Sequence, residues 1–302
     1  MDSPPKQCPS PGVPLLLALA VHWDDCSVAL GTHAGACTEV WSRGSEHPAT
    51  GRPGSGGLAP GALASRDALL LLDRLLVRTG TSLSSVDRLC FARGPGAFTS
   101  LRVAAGIVQG LSLATSIPAV GICSLAAMAA GEPDWQPADG ASPTAWLQLA
   151  AIDARMGECY FGLHECRSGE HPQALIAPAV GSPAAAVELF EAVLAQRTGA
   201  PAVRAPDGQH PAGIRLAGNA FALLPELADW ARRRGLDAEL AASRSATAAA
   251  VLAVAASCGA PQGGRPQDAL PVYVRDKIAL DVDEQKAGAA ARALAAAGRR
   301  PT

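Results

Sequence analysis

Lysine is almost missing from this sequence: of 302 residues only Lys6, Lys277 and Lys286 carry it. Any mechanism that needs a buried lysine therefore has almost no candidates. Lys and Arg together number 25 against 27 Asp and Glu, a formal charge of −2. That balance excludes a strongly basic, self-sufficient nucleic-acid binder. Aromatic residues reach only 4%, which undermines any stacking platform for bases. The eight cysteines, at 8, 26, 37, 90, 123, 159, 166 and 258, form no C-x-x-C pair. The six histidines show neither H-x-x-x-H nor H-E-x-x-H spacing, so no zinc site is expected. Most of the cysteines lie in apolar surroundings and read as reduced thiols acting as small core hydrophobes. No apolar run reaches the ~20 residues of a membrane span.

Alanine, by contrast, fills 64 of the 302 positions, a composition suited to close helix packing. Gly (31) and Pro (24) are moderately high but clustered, so they mark loops. The apolar run from Val13 to Val21 has the length of a secretion-signal core. It meets His22-Trp23-Asp24-Asp25 and resumes as Cys26-Ser27-Val28-Ala29-Leu30, which reads as the two arms of a hairpin.

Hydrophobic period and punctuation place strands near 14–21, 26–31 and 36–42, then a Gly/Pro/Ser-rich loop over 43–61. A helix follows over 62–78 with Leu69, Leu70, Leu72, Leu75 and Leu76 on its apolar face. Next come a strand at 86–92, a Gly-Pro-Gly turn, a helix at 99–115, a short strand at 119–122 and a helix at 124–130. After a loop at 131–144 the pattern repeats. Strands are expected at 146–152, 158–164, 174–179 and 214–217, and helices at 184–196, 220–234 and 244–257. A last strand-like run lies at 271–274. Both halves read as three strands, helix, strand, helix. This points to a duplicated α/β unit, ribonuclease H-like or actin-like, with ligands expected between two lobes. The lobes are expected at 14–122 and 123–282, with flexible tails at 1–13 and 283–302. Three opening strands argue against a Rossmann-like alternation.

The most informative segment is Leu89 to Ala114, where a strand runs through Gly94-Pro95-Gly96 into a helix. Helix-start amides there could hold a phosphate, although no G-K-[ST] follows, and a plain turn explains the glycines equally well. In the helix, Ala105-Gly106, Gly110 and Ala114 recur at spacings near four. They give a face almost without side chains, for close internal packing or for a partner's helix.

Three motifs carry a family resemblance: Gly94-Pro95-Gly96-x-Phe98-Thr99-x-x-Arg102 with its small-residue helix, Ala151-Ile152-Asp153-Ala154-Arg155-Met156-Gly157-Glu158, and Pro271-Val272-Tyr273-Val274-Arg275. In this order, from about residue 14 to 280, the chain resembles the TsaB (YeaZ) family. The resemblance implies a duplicated actin-like fold and a non-catalytic role in making N6-threonylcarbamoyladenosine at position 37 of tRNA. A TsaB protein pairs with the catalytic TsaD through a helix bundle, and the ATPase TsaE docks on that pair. Here the pairing helices would be 62–78 and 99–115. The interface residues implied are Leu72, Leu76, Arg102, Gly106, Gly110 and Ala114, with tRNA reached indirectly and self-pairing possible without the partner. No cofactor is expected, and a cytoplasmic location is.

Departures from the family pattern bear on chemistry. The family's first strand ends in Asp-Thr-Ser or Asp-Thr-Ala, but Leu19 is followed here by Ala20-Val21-His22. In actin-like ATPases an acid at that point helps hold the nucleotide's metal through water. The Gly-Ser-Phe-Thr-Gly core becomes Gly96-Ala97-Phe98-Thr99-Ser100. The metal-binding H-x-x-x-H of TsaD is absent. The competing reading is an enzyme on the same fold, either a carbamoyl or phosphoryl transferase or a glycoprotease-like hydrolase. Asp153 is the one acid at a corresponding turn, where pairing with Arg155 explains it as a turn residue. No G-x-S-x-G occurs, and Arg232-Arg233-Arg234 reads as a solvated helix end.

Overall fold

The computed structural model describes residues 13–22, 25–32, 35–42, 60–130, 145–167, 170–198, 213–242, 244–257 and 264–275. The expected tail at 283–302, all but Val13 of the one at 1–13, and the loop at 131–144, with most of the one at 43–61, lie outside them. One sheet contains β1 (Leu16–Val21), β2 (Asp25–Thr32), β3 (Gly35–Ser42), β4 (Arg88–Gly94) and β5 (Ala119–Cys123). Its order is β3-β2-β1-β4-β5, with β1 antiparallel to β2 and parallel to β4. The other contains β6 (Ala145–Arg155), β7 (Glu158–Arg167), β8 (Gln173–Gly181) and β9 (Ile214–Ala217) in the order β8-β7-β6-β9. There β6 is antiparallel to β7 and parallel to β9. The second sheet thus repeats the order and directions of the first four strands of the first, with no counterpart of β5 among the described residues, and this is the duplicated ribonuclease H-like/actin-like architecture.

The helices are α1 (Pro60–Thr79), α2 (Phe98–Thr115), α3 (Ser124–Ala130), α4 (Pro183–Thr198), α5 (Ala220–Leu223), α6 (Pro225–Arg233), α7 (Ala238–Ala242) and α8 (Ala248–Ser257). The helix expected over 220–234 is broken because Pro225, which has no N–H to donate, begins a new one at its first position. The helix expected from 244 starts four residues later, where Thr247 Oγ1 accepts from Ala250 N at 3.2 Å. The strand-like run at 271–274 is irregular: Val272 N donates to Arg93 O at 2.7 Å, outside any ladder. Arg234 is not a solvated helix end. Its Nε donates to Glu191 Oε1 at 2.7 Å, beside Trp230 Nε1, which donates to the same oxygen at 2.6 Å. α6 is thereby clamped to α4.

Five layers result. On the outer face of the first sheet, Leu17, Leu19 and Val21 pack with Leu71, Leu75, Ala104 and Val108 of α1 and α2. On its inner face, Leu16, Ala18 and Ala20 meet α3 and α8. Strand β1 is covered on both sides, which is why its sequence is continuously apolar and not alternating. The outer face of the second sheet packs against α4 to α7 through Phe161, Phe190, Phe221 and Trp230. The lobes also exchange helices: α8 follows the second sheet in sequence but packs on the first, while α3 reaches β6 and β7. In this central layer, 11 of the 19 buried residues are alanine, against 5 of 19 in the first outer layer. Methyl side chains let backbone approach backbone, so the alanine excess finds its main use between the two sheets. The start of α8 is fixed there by Ser27 Oγ, which accepts from Ala248 N at 2.9 Å.

Two outcomes follow from this packing. Ala250 is 1% exposed in the central layer, so Ala250→Leu should lower the unfolding free energy by about 1–3 kcal/mol in urea melts. His164 is 2% exposed, and burial first, then nearby His171, lowers its pKa to about 4. As pH falls through ~6.5 the unfolded chain takes up this proton while the folded chain does not. Stability should therefore fall between pH ~6.5 and 4, and His164→Gln should flatten that slope. Glu191 acts lower down: its hydrogen bond from Arg234 is the main cause that keeps its carboxyl below the usual range. Its contribution should disappear only as pH drops through that lowered value.

Candidate functional site

Helix α2 is built with two unlike faces. Leu101, Ala104, Ala105, Val108 and Ser112 turn inward. Phe98, Arg102, Gly106, Gly110, Leu113 and Ala114 turn outward, a stripe at spacings of three and four. Of the small residues, Ala105 belongs to the core, while Gly106 and Gly110 are bare to solvent: a Cβ at either would meet nothing within 4 Å. Among the described residues the small face is therefore not used for internal packing. Leu113 beside it is 77% exposed. On neighbouring α1, Val77 (75%) and Leu69 (47%) also point outward.

The expected interface residues divide accordingly. Arg102, Gly106, Gly110 and Ala114 lie on the exposed stripe, and Leu76 is half-buried at its margin. Leu72 is a correction: at 7% exposure it is part of the core under α1. Leu69–Leu72 form a run of four leucines, which a 100° step per residue must spread around the helix. The run hides which leucines face out: Leu69, expected on the apolar face, is exposed. Leu113 lies outside the glycine and alanine spacing that marks the small face.

The second feature is a cleft of about 510 Å³ between the lobes. It opens beyond the C-terminal ends of the parallel strands β1, β4, β6 and β9, where His22, Pro95–Thr99, Ile152–Arg155 and Gly218–Asn219 line it. The three motifs distant in sequence converge here. Gly94 (φ +118°) enters the turn before α2, and a Cβ on it would stand 2.7 Å from Val272 O. Close approach by the 271–275 segment is thus a structural cause for that glycine. Asp153 closes its own turn: Oδ1 accepts from Arg155 N at 2.9 Å, and Oδ2 pairs with Arg155 Nη1 at 3.4 Å. Asp153 N donates to Asn219 Oδ1 at 2.9 Å. Arg275, at the end of the third motif, donates to Glu158 Oε2, the last residue of the second.

At the first strand's end Ala20 is fully buried in the central layer, and His22 Nε2 lies 2.9 Å from Ala246 O. Neither supplies a carboxylate. Cys26, Cys90, Cys159 and Cys166 are buried. Burial, with Asp153 and Glu158 nearby, pushes Cys159 up to about 11, and burial pushes Cys166 up to about 12. Such thiols are poor nucleophiles at neutral pH. Among the described residues no group of three or more His, Cys, Asp or Glu side chains is placed to hold a metal. No described helix is long and apolar enough to cross a membrane.

Comparison with known proteins agrees with this geometry. A family model described as "TsaD: tRNA N6-adenosine threonylcarbamoyltransferase" matches residues 48–262. The tRNA threonylcarbamoyladenosine biosynthesis protein TsaB of Escherichia coli is 38% identical over 117 residues, 37% of this chain and 48% of that protein. The Haemophilus influenzae TsaB is 43% identical over 93 residues, 31% of this chain and 36% of its own length. The chain thus spans about half the length, or less, of these curated relatives. Among solved structures, YeaZ from Pseudomonas aeruginosa superimposes with a TM-score of 0.57 at 28% identity, covering 86% of this chain and 99% of that one. With the family model matching well over half of its length, the chain belongs to the family that this threonylcarbamoyltransferase model describes, and within it to the TsaB/YeaZ group.

Proposed function

We propose that the chain is a non-catalytic subunit in N6-threonylcarbamoyladenosine synthesis on tRNA, working by pairing with a TsaD-like catalytic subunit in the cytoplasm. The observation that carries this reading is the outward stripe of α2. Gly106, Gly110 and Ala114 leave the helix backbone accessible, and Leu113, Val77 and Leu69 provide apolar surface around it. Such an exposed face on the adjacent helices α1 and α2 fits an apolar helix of a partner, because small residues allow a short interaxial distance. A TsaE-like ATPase then docks on the pair, and tRNA is held by the complex as a whole. Without its partner the chain covers the same stripe by pairing with a second copy.

The non-catalytic role has independent support in the cleft. Its would-be acid, Asp153, is committed to Arg155 in its own turn. The first strand presents a buried methyl at Ala20, and the buried thiols near the second sheet are held protonated.

The test is substitution on the bare face. Gly110→Leu adds a side chain where a Cβ meets no described atom within 4 Å. It should therefore raise the stability of the isolated protein by about 0.5–1 kcal/mol through helix propensity. The same substitution should weaken binding to the TsaD-like subunit at least ~30-fold, about 2 kcal/mol, by isothermal titration or co-purification. Unchanged binding by the folded variant would place the interface elsewhere.

A further inference from the structure

Residues 271–275 cross from one lobe to the other, and both ends are fastened. At the first lobe, Val272 N donates to Arg93 O at 2.7 Å. Tyr273 packs its ring 5.0 Å from that of Phe98. The Tyr273 hydroxyl accepts from Arg102 Nε at 3.0 Å, and the Arg102 guanidinium lies 3.8 Å above the Phe98 ring. At the second lobe, Arg275 donates to Glu158 Oε2 and approaches the Tyr160 ring at 5.9 Å. The Arg275 side chain is 16% exposed. Between these anchors, Val272 to Arg275 form part of the cleft wall together with Phe98 and Tyr160.

We infer that this segment is a strap that couples the outward face of α2 to the opening of the interlobe cleft, with Arg102 and Tyr273 as the transmitting pair. The physical reason is the shortness of the strap. Only two residues, Tyr273 and Val274, separate the Val272 and Arg275 anchors, and an extended chain covers only ~3.5 Å per residue. The lobes cannot part by more than a few ångströms before one anchor gives way. Phe98 and Arg102 belong at once to the strap's anchor and to the exposed stripe, so anything that covers the stripe shields the Arg102–Tyr273 hydrogen bond from water. Docking thereby tightens the strap and holds the cleft closed. By linkage, loosening the far end must weaken docking by the same factor. This consequence rests on the docking role of α2, whereas the coupling within the chain does not.

The test breaks the far anchor, in the second lobe, and reads the near one. In Arg275→Gln, amide hydrogen exchange should quicken at least fivefold at Val272, whose N–H is tied to Arg93 in the first lobe, as well as near Glu158. Glu158→Gln should reproduce the effect, and the swapped pair Arg275→Glu with Glu158→Arg should restore protection. Faster exchange confined to Glu158 and its neighbours would overturn the coupling, whatever the partner. With a TsaD-like subunit added, Arg275→Gln should bind ~5-fold more weakly than the native chain. Coupled exchange together with unaltered affinity would contradict the link from strap to docking. Failure of the native chain to bind at all would remove the docking role of α2 and leave the exchange result to decide the strap.

Discussion

The structure depends on a thin central layer. Two sheets of matching topology can face each other across α3 and α8 because the contact residues of that layer are mostly methyl groups. Ala18, Ala20 and Ala29 supply them from the first sheet, Ala150 and Ala217 from the second, and Ala248, Ala250 and Ala255 from α8. Each helix is lent by one lobe to the other or to the space between, so neither lobe completes its core alone. The cleft, the strap and the relative placement of the motifs all follow from that spacing. Larger side chains in the layer would shift the sheets apart and detach the Arg275–Glu158 anchor from the Val272–Arg93 one.

Duplication has left the outer layers unequal. The second lobe fills its outer face with Phe161, Phe190, Phe221 and Trp230 and clamps α4 to α6 through Glu191, Trp230 and Arg234. The first lobe covers its sheet with α1 and α2, but among the described residues no side chain covers Gly106 or Gly110 on the outward stripe of α2. One lobe is self-sufficient on its outer side, and the other presents a helix backbone to solvent. A helix interior with two glycines costs stability, and the proposed docking of a partner on that bare backbone would offset the cost.

Much of this was legible in the sequence because period and punctuation report local physics. The opening hairpin, the Gly-Pro-Gly turn, helix α2 and the repeat of the first sheet by the second all follow from where apolar runs meet polar turns. Helix α7 and the break at Pro225 were not legible as drawn, since short helices carry too few periods and a proline can either end a helix or start one. Leu72 could not be oriented within a run of four leucines. The convergence of the three motifs is long-range: Val272 meets Arg93, and Glu158 meets Arg275, and no single-sequence pattern pairs such positions. The alanine excess was visible, but its concentration between the sheets needed the fold.

The proposed docking surface for a TsaD-like subunit is the outward stripe of α2, flanked by α1. Amide hydrogen exchange of the full chain, alone and mixed with that subunit, tests it most directly. The account predicts new protection at residues 98–114 and along the outward side of 69–80, with no new protection along α4 and α6. Protection on α4 and α6 with residues 98–114 unchanged would contradict it.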